Sequence, residues 1–143
     1  MLSFRRESIT VFLPDGGGDE KYPIFVAPSD HSVTIEKATF LMRGGVAANT
    51  ANFLELSLEN GGTGGISTTD MGGTVGGTIG WTDNVPQSFE PAAGSGRLLA
   101  GEVLVVDWNE TLTGPDTSLG VLVTIEYVHG LGIARSEKTD SQN

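Results

Sequence analysis

Two histidines, His31 and His129, and no cysteine make up the neutral-pH acid–base and soft-ligand inventory of this 143-residue chain. Imidazole is the side chain that titrates near physiological pH and the commonest metal ligand. Each histidine sits at the end of a strand-like run, where a partly exposed structural residue is expected. The serine best placed to be a nucleophile is Ser95, in Ala93-Gly-Ser-Gly96. That sequence lacks the first glycine of a nucleophile elbow, and no strand-turn-helix context surrounds it. Asp15-Gly-Gly-Gly-Asp-Glu20 brings three carboxylates into one short stretch. It lacks the ligand spacing of an EF-hand, and Asp and Gly are what a turn requires. Asp107 and Glu110 form a carboxylate pair by spacing, but acid–base roles depend on separation and environment that spacing does not supply. Asn109-Glu-Thr111 matches a glycosylation sequon, which carries weight only behind a secretory signal. The reading is a non-enzyme with no catalytic residue, no metal ligand set and no cofactor.

The most irregular stretch is residues 61–80, with nine glycines in twenty positions. A phosphate-binding loop would end in Gly-Lys-Ser/Thr, and there is no lysine between Lys37 and Lys138. A calcium-binding glycine repeat needs an Asp ligand where Gly61-Gly-Thr-Gly-Gly continues into Ile66. Glycine loses the most backbone entropy on folding, so such a stretch is either a flexible loop or one fixed by close contact. A flexible or partner-ordered loop is expected, with a weak strand over residues 74–81. Trp81 then belongs to the core or stands exposed as an anchor for another chain or a sugar.

The charge balance narrows the partners. Eighteen acidic against eight basic side chains give a formal net charge of −10. From residue 44 to 130, ten acidic residues face Arg97 alone. Such a body repels phosphate backbones, because nucleic-acid affinity comes largely from Lys and Arg displacing counterions. The one locally basic patch is Phe4, Arg5 and Arg6 near the N-terminus, read as an arm that contacts a partner. Charge stands there where a signal peptide would have its apolar run, and no stretch has the length of a membrane span, so a soluble protein made in the cytoplasm, bound to neither nucleic acid nor membrane, is expected.

The elements that must carry these residues are strands. Residues 8–13 alternate Ile9, Val11 and Leu13; residues 22–27 form a second short run with Pro23 near its start and Pro28 just after it, which favours a sheet edge. Over residues 32–43 the apolar phase shifts between Ile35 and Ala38, which calls for a β-bulge near Glu36 and Lys37 or a bend into a second sheet. Residues 53–59 place Leu54, Leu56 and Leu58 on one face and Glu55, Ser57 and Glu59 on the other. Residues 83–96 read as a long connection. Two long runs, residues 98–108 and 119–129, look like neighbouring strands around which the rest packs. Seven or eight short strands with no helical period give an all-β antiparallel sandwich, jelly-roll-like first and immunoglobulin-like second. The domain division is residues 1–28 as arm and short edge strands, 29–130 as the sandwich and 131–143 as a polar tail. One domain of this size buries roughly 68% of its unfolded surface and needs no covalent staple.

Val33-Thr-Ile-Glu-Lys-Ala-Thr-Phe-Leu-Met42, Leu54-Glu-Leu-Ser-Leu58 with its Asn60-Gly-Gly62 turn, and Leu99-Ala-Gly-Glu-Val-Leu104 followed by residues 120–127 together carry a likeness. Over roughly residues 32–130 the chain resembles the decoration, or cement, proteins of tailed-bacteriophage capsids. Similar segments occur in phage tail and fibre proteins. The resemblance implies a β-sandwich or jelly roll without enzymatic activity. It also implies attachment to the major capsid protein on the virion exterior and self-association, with a trimer favoured. The alternative from another class is a carbohydrate-binding or tail/fibre β-sandwich module, with Trp81 or another exposed aromatic as the sugar platform.

Overall fold

The computed structural model describes residues 6–51, 53–111 and 118–130. Phe4 and Arg5 of the expected arm and the polar tail at 131–143 lie outside the described residues. The strands are β1 (Arg6–Leu13), β2 (Glu20–Val26), β3 (Val33–Arg43), β4 (Leu54–Asn60), β5 (Thr69–Gly77), β6 (Pro86–Phe89), β7 (Arg97–Leu98), β8 (Val103–Glu110) and β9 (Gly120–His129). There is no helix among the described residues.

All pairings are antiparallel, and they follow one rule. Strands pair from the ends of the chain inward: β1 with β9, β2 with β8, β3 with β6 and β7, β4 with β5. The chain therefore behaves as one long hairpin that is rolled up. Successive pairs alternate between two sheets, which β3·β9 and β4·β8 complete. The orders are β1-β9-β3-β6, with β7 also on β3, and β2-β8-β4-β5. This is a jelly roll, as expected.

The topology corrects one expectation. The runs at 98–108 and 119–129 are not partners: β8 lies in one sheet and β9 in the other. The first run is also not one strand, because its beginning belongs to β7 and a turn at 99–102 precedes β8. The physical reason is that each long run finds an N-terminal strand with matching register, β2 for β8 and β1 for β9.

The core lies between the two inner faces. Leu54, Leu56 and Leu58 of β4 and Leu104, Val106 and Trp108 of β8 are fully buried, as are Ala38, Phe40 and Met42 of β3 and Val121, Val123 and Ile125 of β9. Each Val, Leu, Ile, Phe or Met side chain among them contributes about 1.5–3 kcal/mol by leaving water. The phase shift in β3 is a bulge: Ile35 pairs with Tyr127 and Lys37 with Glu126, leaving Glu36 as the extra residue. The edge position expected for residues 22–27 also holds, since among the described residues β2 has β8 on one side only, and its register slips between Pro23 and Phe25.

The glycine-rich stretch is not a loop throughout. Residues 69–77 form β5, hydrogen-bonded to β4. Its glycines are fixed by close contact: a Cβ at Gly73 would overlap the ring of Phe89, and one at Gly76 would overlap the indole of Trp81. Gly76 has a φ of +77°, which glycine adopts without steric cost. The expected connection at 83–96 holds β6, which pairs with Ala38–Leu41 of β3 and supplies Phe89.

Candidate functional site

The outer face of the β1-β9-β3-β6 sheet is a graded surface. Because directly paired residues point to the same side of a sheet, its rows can be read from the register. Pro86, Leu41, Leu122 and Phe12 form an apolar row across four strands. Next come Ser88, Thr39, Thr124 and Thr10, a hydroxyl row in which Thr10 and Thr124 share a hydrogen bond of 2.9 Å. Lys37, Glu126 and Ser8 follow, and then a row of Arg97, Thr34, Val128 and Arg6 at the far end. Arg6 pairs there with Glu36, the bulged residue of β3. The bulge thus presents a carboxylate to the basic end of the face.

The apolar end is wide. Phe12 is 49% exposed, as is Val85 just before β6, and Leu119 just before β9 is 65% exposed. Phe12 leans over Gly120, where a Cβ would crowd its ring. β1 is the edge strand beside this row, with β9 as its only partner among the described residues. Among the described residues nothing pairs with its outer main-chain donors and acceptors. At the opposite, basic end a cavity of about 620 Å³ opens between Arg6, Glu36, Glu90, Pro91 and Arg97.

The two histidines, expected as separate strand-end residues, meet. His31, in the link between β2 and β3, and His129, the last residue of β9, bring Nε2 and Nδ1 to 2.6 Å. Behind His31, Asp30 Oδ1 lies 2.7 Å from Nδ1; behind His129, Glu7 Oε2 lies 3.3 Å from Nε2. Tyr127 donates its hydroxyl to the other oxygen of Glu7 at 3.1 Å. Its phenol is pushed above the usual value of 10.0, first by burial and then by that bond. The backbone makes the meeting possible: Val33 pairs with His129, and Gly130 N–H donates to Ser32 O at 2.7 Å. Periodicity could place both residues at strand ends; only the β3·β9 register brings those ends together.

Other carboxylates singled out from the sequence do structural work. Asp15 Oδ1 accepts Gly17 N–H at 2.7 Å and Asp19 Oδ1 accepts Glu110 N–H at 2.7 Å, which closes the turn and ties it to β8. Glu59, expected on the open outer face of β4, is buried under Lys21, whose ammonium donates to both carboxylate oxygens at 2.8 and 3.0 Å. Asp107 lies 3.2 Å from the same ammonium. Glu110 accepts the indole N–H of Trp108 at 2.8 Å. Among the described residues no three or more His, Asp or Glu side chains are gathered as a metal cluster.

Trp81, read as core or exposed anchor, is core. It is 4% exposed, its backbone pairs with Val46, and its indole N–H donates to Leu54 O at 2.9 Å. No ring face is left for a sugar. Arg6, the described member of the expected contact patch, is held on β1 by its pair with Glu36.

No protein-family model matches the chain, and no curated protein matches it. Solved structures similar to it include one reported under "Bacillus endospore appendages form a novel family of disulfide-linked pili", at 12% identity and a TM-score of 0.39, covering 88% of each chain. Another is the coat protein of Tobacco streak virus, at 14% identity and 0.40, covering 96% of this chain and 94% of that one. A third is from Turnip Yellow Mosaic Virus, at 10% identity and 0.34, covering 94% and 99%.

Proposed function

We propose that this protein is a non-enzymatic structural component of a phage virion that binds the outer surface of the capsid and stabilises it by bridging subunits of the major capsid protein. The observation that carries the reading is the apolar end of the β1-β9-β3-β6 sheet, where Phe12, Leu122 and Leu41 stand in one row beside β1, an edge strand among the described residues. An edge strand takes main-chain hydrogen bonds from an added strand, and an adjoining apolar row gives that addition its register and affinity. The net charge of −10 suits an outer surface, away from packaged DNA.

Bridging follows from linkage. A protein that binds only the assembled shell stabilises it by an amount that grows with the logarithm of its concentration over its Kd. Phe4 and Arg5, next to Arg6 in sequence, extend the contact onto a neighbouring subunit, and copies of the protein associate with one another, as a trimer in this reading. The experiment is co-sedimentation of the purified protein with expanded capsids that lack it, followed by thermal disassembly. Saturable binding and a raised disassembly temperature are expected. Protein that stays in the supernatant at every ratio rules the reading out.

A further inference from the structure

We propose that the loop end of the sandwich opposite the Phe12 row is a second contact surface, which takes an apolar surface of a second subunit of the major capsid protein; the inference rests on the capsid reading above. Three large aliphatic side chains stand exposed there: Val26 at 60%, Ile66 at 88% and Leu99 at 52%. They come from different segments, which main-chain bonds draw around Val103. Val26 is the cross-strand partner of Val103. The loop that carries Ile66 is tied to the same residue, with Gly61 N–H donating to Val103 O at 2.8 Å and Val103 N–H to Gly62 O at 3.0 Å. The turn that carries Leu99 closes through Glu102 N–H to Leu99 O at 3.0 Å, and Gly101 N–H anchors it by donating to Ala27 O at 3.2 Å.

The patch is poor in charge. Segments 26–29, 61–67 and 99–103 hold one charged residue, Glu102. Its Oε1 accepts from Asn60 Nδ2 at 2.9 Å and from Leu99 N–H at 2.7 Å, so the carboxylate is engaged in holding the turn. Depletion of charge around apolar side chains is the composition of an interface centre.

Place and size decide the occupant. β1 runs from this end, at Arg6, to the Phe12 end, and its eight residues span about 25 Å. The two surfaces also lie on opposite faces. Leu104 is fully buried in the core, so Val103 and its partner Val26 belong to the outer face of the β2-β8-β4-β5 sheet. A subunit seated on the Phe12 row therefore leaves this patch to its neighbour. A bridge needs such a pair, because a ligand that touches one subunit binds it equally well in and out of the shell, and equal affinity for two states shifts nothing. Area argues against a second copy held by this patch alone: three side chains offer on the order of 300 Å², against about 800 Å² per partner in a stable complex. Once the Phe12 row is seated, the neighbouring subunit is held at high effective concentration and a small patch suffices.

The test uses the triple variant Val26→Thr, Ile66→Ser and Leu99→Ser with expanded capsids that lack the protein. Binding should persist through the Phe12 row, weakened by about a hundred-fold as avidity is lost. At full occupancy, measured as protein retained on pelleted capsids, the disassembly temperature should stay at that of bare capsids. The urea midpoint of the variant should match that of the unaltered chain, since the three side chains face solvent. A lowered midpoint would mean that the chain's own residues cover the patch, and loss of self-association in sedimentation would mean that a second copy does. Either result overturns the proposal, as does a saturated variant that raises the disassembly temperature like the unaltered chain. That last outcome removes the second contact alone, whereas failure of the unaltered chain to bind removes the capsid reading and the second contact with it.

Discussion

The indole of Trp81 lies against the backbone of Gly76, so close that a Cβ there would overlap its ring, while its N–H donates to Leu54 O at 2.9 Å. One glycine thereby lets an aromatic ring cover the β4·β5 edge of its sheet. Gly73 does the same for Phe89, whose ring stacks at 6.0 Å on Phe40. The glycine-rich strand is a surface shaped to receive two rings.

Gly76→Ala should therefore be costly for two separate reasons: a φ of +77° and displacement of the indole. Strain in the left-handed region and overpacking each cost about 1–3 kcal/mol. A loss of about 3 kcal/mol is expected from urea unfolding. Gly17, with a φ of +85° and open space around it, separates the two terms. Gly17→Ala should cost about 1 kcal/mol, the conformational part alone. Equal effects at the two positions would show that the ring contact contributes nothing.

The Lys21–Glu59 pair offers a second test. Glu59 is 8% exposed and both of its oxygens accept from the ammonium. Lys21→Met leaves that carboxylate in place without its partner. The half-exposed lysine end keeps the effect modest, about 1–2 kcal/mol. The double variant with Glu59→Gln should recover part of the loss, and a double-mutant cycle measures the coupling. A coupling energy of zero would mean that the pair is only a surface encounter.

Alkaline pH should destabilise the fold. Lys21 is raised above 10.5, chiefly by its bond to Glu59, and Tyr22 and Tyr127 are raised above 10.0, chiefly by burial. In each case the folded chain holds the proton more tightly than the unfolded chain. The stabilisation is present in full below the unfolded values and is lost as pH rises through the folded ones. The urea midpoint should fall steadily above about pH 10. Tyr127→Phe should make that fall shallower, because one raised group has been removed. A midpoint that is flat across this range contradicts the assignment.

The docking face predicts a split between binding and folding. Phe12→Ser combined with Leu122→Thr removes the centre of the apolar row while keeping strand-compatible residues on β1 and β9. Capsid binding should fall by roughly a hundred-fold, the scale of a lost interface hot spot. Unfolding should stay cooperative. Undiminished binding by the double variant would move the contact away from this face.

Much of the fold was legible in the sequence because strand periodicity is local. The alternation of Leu54, Leu56 and Leu58 sufficed to assign the inner face of β4, and all three are fully buried. The slipped phase between Ile35 and Ala38 placed the bulge, because one extra residue in a strand flips every side chain after it. Pro23 and Pro28 marked an edge because proline cannot donate to a ladder. The anionic body and the jelly-roll class belong to the same level, composition and turn spacing.

Partner choice is not local. Two strands of correct pattern, β8 and β9, follow one another in the chain yet lie in opposite sheets, since β1 and β2 offer each a full antiparallel register. Glycines that read as looseness became close packing once Trp81, five residues on, folded back over Gly76 and β6 brought Phe89 onto Gly73. His31 and His129 likewise meet only because β3 and β9 pair with Val33 opposite His129. Periodicity states which way a side chain points. What it points at is decided by long-range pairing, whose loop-closure entropy and registry belong to the folded chain as a whole.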